Sequence, residues 1–190
     1  MTSHSPQNSP NPVDDEGGAP LLDLARTVDE AAGGRVVVFG SPPPEGRDLD
    51  LLVRAAQERS IASRLAADGL RRRGIQWAAF RDCGAVGVDL VPTSSWRLPE
   101  AELASLFDEA EVLPGFRRLA APAPHHAVLI AARRVARAGV YEDRLRERIE
   151  AILAGAPSAW EEAALRAPAW EAEAALDSLR RLDAGEAAPG

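Results

Sequence analysis

Three aspartates set into apolar segments are the residues of this sequence best suited to chemistry. Asp48 and Asp50 lie in DLDLLV, and Asp89 lies in VGVDLVP. Residues two apart in a strand share a face, so Asp48 and Asp50 project to one side while Leu49 and Leu51 project to the other. If the two strands are neighbours, the three carboxylates converge on one face of a sheet.

Carboxylates gathered in this way predict a bound cation. Like charges in close proximity raise each other's pKa and destabilise the fold unless a cation neutralises them. Oxygen ligands with no His or Cys beside them in the sequence favour Mg²⁺ or Mn²⁺ over zinc. Because Mg²⁺ usually completes its shell with water and substrate phosphates, the aspartates predict a bound nucleotide as well as a metal.

Gly40 and Ser41 are candidates for contact with phosphate, because Gly40 ends the strand-like run RVVVFG and Ser41 directly follows it. A glycine there lets backbone N–H groups approach a phosphate, and the serine hydroxyl can donate to a phosphate oxygen. Arg47 and Arg54 flank the acidic strand and are candidates to assist a triphosphate. A simpler interpretation stays open for each motif, since aspartates of this kind also occur on solvated sheet surfaces.

Taken in order, Gly40-Ser41, Asp48-Leu49-Asp50 and Asp89 resemble the motifs of the polymerase-β-like nucleotidyltransferase superfamily, over roughly residues 21 to 92. The resemblance implies that Gly40 and Ser41 hold the phosphates of the nucleotide. It also implies that Asp48 and Asp50 bind divalent metal, while Asp89 completes metal binding and helps to activate an acceptor hydroxyl. The implied reaction is a two-metal displacement that transfers AMP from ATP, or the monophosphate of another NTP, to a small-molecule or protein acceptor.

One segment departs from the family pattern. The spacer between Ser41 and Asp48 is shorter than is usual and contains Pro42-Pro43-Pro44, which offer no N–H donors. The alternative is therefore a catalytically degenerate member of the fold that acts as a binding module, antitoxin-like or an assembly partner. Weak ATP binding and co-purification of a protein partner would distinguish this alternative from the enzyme.

The rest of the chain predicts the elements that position these residues. Hydrophobic spacing and Gly/Pro boundaries indicate a helix over residues 20–34, strands in VVVFG and DLDLLV, and a helix over residues 56–73. Strands IQWAAF and AVGVDLVP follow, joined by a turn at residues 81–84, and from Leu98 onward the pattern predicts helices only. The expected fold is α/β (α+β), with a mixed sheet core flanked by helices. The expected division is a disordered tail at 1–18, the core at 19–97, a helical subdomain at 98–183 and a tail at 184–190.

Composition excludes several other classes. The net charge of −7 argues against a nucleic-acid partner, and the absence of lysine excludes Walker-type phosphate loops and Schiff-base enzymes. Cys83 is the single cysteine, so no internal disulfide is expected, and no secretion signal or bilayer-spanning segment is recognised. A cytoplasmic location is the resulting expectation. No motif indicates the acceptor or an oligomeric state.

Two further groups have open interpretations. His125 and His126 begin a predicted helix, where they can cap the helix, face solvent or bind a ligand. Arg133, Arg134 and Arg137 share a helical face that is either solvated or directed toward the acidic cleft.

Overall fold

A computed structural model of the chain describes residues 18–46, 48–81 and 84–185. Within these residues the strands are β1 Val36–Val38, β2 Asp48–Val53, β3 Arg71–Arg73, β4 Gln76–Arg81, β5 Gly84–Pro92, β6 Glu111–Val112 and β7 Leu119–Ala121. The helices are α1 Gly18–Ala31, α2 Ala55–Ala67, α3 Glu100–Asp108, α4 Pro124–Ala138, α5 Asp143–Gly155, α6 Ala159–Arg166 and α7 Glu173–Asp183. The strands form one mixed sheet in the order β3-β4-β5-β2-β1-β7-β6, which confirms the predicted α/β class.

The centre of the sheet is the parallel pair β2 and β5, in which Asp50 lies opposite Asp89. Strand β1 runs antiparallel to β2 on one side, and β4 runs antiparallel to β5 on the other. The hairpin of β4 and β5 matches the predicted pair of strands, although its turn residues Asp82 and Cys83 lie outside the described residues. The two strands that carry the aspartates are therefore neighbours.

The two faces of the sheet have separate hydrophobic cores. On one face, Leu49 and Leu51 of β2 are buried with Val28 of α1 and Ile61 of α2. On the other face, Leu52 belongs to a core built mainly by α3, α4, α6 and α7. Side chains alternate along a strand, so Asp48 and Asp50 share the face of Leu52 and project toward the helical half of the chain.

The helix predicted for residues 56–73 is too long. Helix α2 ends at Ala67, and Gly69 follows with a φ of +86°, which turns the chain away from the helical path. Residues Arg71–Arg73 instead form the exposed edge strand β3, paired with the first residues of β4. The guanidinium of Arg72 lies 5.7 Å from the centre of the Trp77 ring, so an aromatic neighbour stabilises a strand that has no apolar side chain of its own.

The prediction of helices only after Leu98 is wrong for a short stretch. Strands β6 and β7 pair antiparallel around a turn that contains Pro114 and Gly115, and β7 pairs in parallel with β1. The sheet therefore uses residues from both sides of the predicted boundary at 97/98. Of the two predicted tails, residues 1–17 and 186–190 lie outside the described residues.

Candidate functional site

The aspartates Asp48, Asp50 and Asp89 lie on one face of the two central strands. In the parallel pair, Asp50 is opposite Asp89 and Asp48 is opposite Gly87. Residues paired across neighbouring strands project to the same face, and the intervening Leu49 and Val88 are fully buried on the other face. The structure thus brings together the three carboxylates that the sequence had placed on two strands, and we call this surface the acidic face.

The charges on the acidic face interact. Burial raises the pKa of Asp50 to about 6, with further increases from the charges of Asp48 and Asp89 and opposing effects from Arg134 and Arg148. Burial also raises the pKa of Asp89, although a hydrogen bond with the Gln76 side chain lowers it and the Asp48 charge raises it again. The carboxylates are therefore close enough for their charges to influence one another.

Gly40 lies directly against Asp50 at the end of β1. A Cβ atom placed on Gly40 would lie 2.9 Å from the Cβ of Asp50, so no larger residue fits without displacement. The backbone N–H of Phe39 donates to the carbonyl oxygen of Asp50 at 3.0 Å, which fixes the strand end beside the acidic face.

The turn after Gly40 folds back on Ser41. The N–H of Glu45 donates to the carbonyl of Pro42 at 2.9 Å, and the peptide between Pro43 and Pro44 is cis. A Cβ placed on Gly46 would lie 3.4 Å from the Cβ of Ser41, so the end of the turn returns to its beginning. Gly40 therefore borders the acidic face and Ser41 follows it in the turn, while contact of either residue with phosphate stays a prediction.

Two arginines of the helical half approach the acidic face. Arg148 of α5 donates from Nη1 to the carbonyl oxygens of Gly40 and Phe39, the latter at 3.4 Å. Burial lowers the pKa of Arg148, as does the charge of Arg134, whereas Glu45 and Asp50 oppose this shift. The predicted alternative for Arg134, an approach to the acidic cleft, is consistent with its electrostatic effect on Asp50.

Arg148 was missed by the sequence analysis, although its spacing offers a signal. Leu145 and Ile152, three residues before it and four after it, both pack against the core of the helical half. Residues at this spacing share a helical face, so Arg148 interrupts an apolar stripe. A cation in such a position predicts a buried contact rather than a solvated surface.

The structure does not place either of the two arginines that were predicted to assist a triphosphate at the acidic face. Arg47 lies outside the described residues. Arg54 follows the far end of β2, four residues beyond Asp50, which is about 13 Å along a strand. Its guanidinium lies 4.7 Å from the centre of the Phe107 ring, so the structure does not bring Arg54 to the acidic face, and it is left out of the site.

Comparison with known proteins adds no relative. No family model, no curated protein and no solved structure matches this chain. Among the residues that the structure describes, no helix has the length and apolar character needed to cross a lipid bilayer.

The repulsion on the acidic face leads to a prediction for the metal-free protein. The folded-state pKa of Asp50, about 6, lies above its ordinary value of 3.8, so the ionised carboxylate destabilises the fold above pH 6. That destabilisation disappears as the pH falls through 6 toward 3.8. Asp50→Asn should therefore stabilise the protein at pH 8 by about 1–2 kcal/mol, a value reduced for partial solvent screening, and much less at pH 4.

Urea denaturation in the presence of a chelator, at both pH values, measures this difference. The control is Asp177→Asn, which changes an exposed aspartate on α7 and should leave stability unaltered at either pH. A variant at position 50 that is no more stable than the wild type at pH 8 would contradict the predicted repulsion.

Proposed function

We propose that this chain is a Mg²⁺- or Mn²⁺-dependent nucleotidyltransferase that transfers a nucleoside monophosphate, AMP from ATP or that of another NTP, to an acceptor hydroxyl and releases pyrophosphate. The acceptor is a small molecule or a protein. The observation that carries the proposal is the acidic face, where Asp48, Asp50 and Asp89 project together from adjacent parallel strands. Their order after Gly40-Ser41 agrees with the superfamily that the sequence resembles.

The donor type of the acidic face suits a hard divalent cation. All three offer carboxylate oxygens, the ligands that Mg²⁺ and Mn²⁺ prefer, and the charges on Asp48 and Asp89 raise the pKa of Asp50. Asp48 and Asp50 would hold the ion and Asp89 would complete the set. When bound, such an ion neutralises phosphate charge and lowers the pKa of an acceptor hydroxyl.

The arginines and the turn suit a polyphosphate. Arg134 and Arg148 place positive charge beside Asp50, opposite the sheet, where guanidinium groups can pair with phosphate oxygens. Arg148 also holds the carbonyl of Gly40, so it orients the turn that presents the Ser41 hydroxyl. Asp89 is the carboxylate available to orient an acceptor hydroxyl or take its proton.

Calorimetric titration with ATP in the presence of Mg²⁺ or Mn²⁺ tests the proposal. The wild type should bind ATP only with the cation, and Asp48→Ala/Asp50→Ala should weaken binding at least tenfold. The matched control, Asp23→Ala/Asp177→Ala, removes two exposed aspartates from helices and should bind normally. Failure of the wild type to bind ATP with either ion, or unchanged binding by the acidic-face variant, would overturn the proposal.

Transfer itself is measured with ATP labelled at the α-phosphate and a cell extract as the source of acceptor. Label should appear in an acceptor with the wild type and the control variant, and disappear with Asp48→Ala/Asp50→Ala. The labelled product then identifies the acceptor as a small molecule or a protein.

The turn favours a second candidate, a degenerate binding module with this fold. Pro42, Pro43 and Pro44 leave three consecutive positions of the turn without N–H donors, and Arg148 already engages the carbonyl of Gly40. A binding module would take up no ATP, would stay folded after all three aspartates are replaced, and would retain a protein partner through its helical half.

A further inference from the structure

A second group of potential metal ligands lies in the helical half, apart from the acidic face. Glu109 directly follows α3, and His125 and His126 are in the first turn of α4. One ligand atom of each residue lies within 4.8 Å of the others. We call these three residues the histidine cluster.

The two imidazoles of the histidine cluster are buried side by side. His126 is fully buried, and His125 is 6% exposed. Their ring centres are 4.1 Å apart, although consecutive residues on a helix normally diverge. Within the described part of the chain, His126 Nδ1 is buried without a hydrogen-bond partner, and His125 Nε2 makes no hydrogen bond although it faces a carboxylate oxygen of Glu109 at 3.2 Å. Buried ring nitrogens are normally hydrogen-bonded, so two such atoms in one group indicate a missing ligand.

Each ring nitrogen of His125 lies beside a carboxylate oxygen. Its Nδ1 lies 3.0 Å from Oε2 of Glu162 on α6, and its Nε2 lies 3.2 Å from Oε2 of Glu109. With a proton on Nδ1 shared with Glu162, Nε2 presents its lone pair toward a carboxylate oxygen. Two lone pairs at that distance repel each other unless a proton or a metal ion lies between them.

Glu109 is held with one oxygen free for a cation. Its Oε1 accepts hydrogen bonds from Nη2 of Arg166 at 2.9 Å and from the hydroxyl of Ser105. Its Oε2 is the oxygen that faces His125. Arg166 is the positive charge at this site, and it is outnumbered by Glu102, Glu109 and Glu162. The surroundings therefore favour a positive ligand.

We propose that Glu109, His125 and His126 bind a divalent transition metal of the zinc class. Two imidazoles and one carboxylate are a known ligand set for Zn²⁺, whereas Mg²⁺ prefers oxygen alone. Bonds of about 2.0–2.1 Å in a tetrahedron separate neighbouring ligand atoms by about 3.3 Å. The 3.2 Å between His125 Nε2 and Glu109 Oε2 agrees with this separation.

The residues around the three proposed ligands make the kind of hydrogen bond that is common around metal sites. A carboxylate on the far nitrogen of a ligating histidine fixes its tautomer and orientation, and Glu162 occupies that position for His125. The ion would join the end of α3 to the start of α4, with Glu162 adding α6. A cavity of about 430 Å³, lined in part by Pro124 and Ala127, reaches the cluster at Glu109.

Titration of the chelator-treated full-length chain with Co²⁺, followed by Zn²⁺, tests this site. One equivalent of Co²⁺ should give the intense visible absorption of four-coordinate nitrogen and oxygen ligation, and Zn²⁺ should displace it. A weak six-coordinate spectrum, or no binding, would overturn the proposal. The Co²⁺ spectrum is measured on the wild-type chain and does not depend on nucleotide binding.

Variants then locate the ion. His125→Gln and Glu109→Gln should each weaken Zn²⁺ binding at least tenfold, and Glu162→Gln should weaken it about 10- to 100-fold through the orientation of His125. The matched control is Glu111→Gln, an exposed residue that lines the same cavity outside the cluster. Asp48→Asn/Asp50→Asn should also retain Zn²⁺ binding. Unchanged affinity in folded Glu109→Gln and His125→Gln proteins would refute the assignment.

Discussion

Replacing Asp29 with alanine is expected to lower the free energy of unfolding by about 3–5 kcal/mol. The Asp29 side chain on α1 is buried, with 6% exposure, and its carboxylate accepts three backbone N–H groups at the start of β7. The donor–acceptor distances are 3.1 Å to Arg117, 2.7 Å to Arg118 and 2.9 Å to Leu119. Alanine would leave the buried N–H of Leu119 and the partly buried N–H groups of Arg117 and Arg118 without their charged acceptor, and a hydrogen bond to a charged group contributes about 1.5–3 kcal/mol.

Urea denaturation of the wild type, Asp29→Ala and Asp29→Asn measures this effect. The asparagine variant should be intermediate, because its single carbonyl oxygen still accepts but carries no charge. Asp23→Ala on the same helix is the control, since Asp23 is exposed and its ion pair with Arg26 at 3.2 Å should contribute less than about 0.5 kcal/mol. An Asp29→Ala protein within about 1 kcal/mol of the wild type would show that the carboxylate does not anchor β7.

The strand that carries the first two aspartates could be predicted because its signal is local. In Asp48–Val53 the alternation of polar and apolar residues directly reports two different faces, and the Pro/Gly turn before it marks the start. Helix α4 likewise begins at Pro124 and ends before Gly139, whose φ is +69°. Such boundaries depend on the backbone preferences of single residues such as Pro and Gly, and these residues can be identified directly in the sequence.

The strands that were missed depend on distant partners. Strand β7, Leu119–Ala121, is three residues long and exists because it pairs with β1, far earlier in the chain, and because Asp29 caps its first N–H groups. Strand β3 contains only arginines and relies on the hairpin with β4. A short stretch of sequence does not show which distant strand or side chain will pair with it. Periodicity alone therefore favours helix over strand in these segments.

The same distinction applies to the sites. Spacing along the two strands indicated that the aspartates would converge if the strands were neighbours, and the structure supplies that adjacency by pairing Asp50 with Asp89. Arg148 reaches Gly40 only through the packing of α5 against the sheet. The histidine cluster depends on the end of α3 meeting the start of α4, and the separation of Glu109 from His125 in sequence has no ligand-like spacing.

Gly40→Ala is expected to damage stability and nucleotide binding together. The added Cβ would lie 2.9 Å from the Cβ and Cγ of Asp50, closer than side chains approach without displacement. Neither side can yield easily, since the Phe39 N–H is bonded to the Asp50 carbonyl at 3.0 Å and Arg148 holds the Gly40 carbonyl. Overpacking of this kind costs about 1–3 kcal/mol. If the proposed function holds, a shift of the Asp50 carboxylate by about 1 Å would reduce the proposed transfer about 100-fold.

Gly33→Ala provides the matched control for Gly40→Ala. Gly33 follows α1, and no atom lies within 4 Å of the position its Cβ would take, so stability and ATP binding should both stay near the wild type. Comparable losses in the two alanine variants would mean that glycine flexibility, and not the contact with Asp50, explains the effect.

A double-mutant cycle isolates the contact between Gly40 and Asp50. Asp50→Gly removes the atoms that the new methyl group would meet, so Gly40→Ala should cost at least about 1 kcal/mol less in the Asp50→Gly background than in the wild type. ATP binding should not return, because the carboxylate is absent from both proteins. Recovered stability without recovered binding would separate the steric role of Gly40 from the metal-binding role proposed for Asp50, and strictly additive losses would contradict the direct contact.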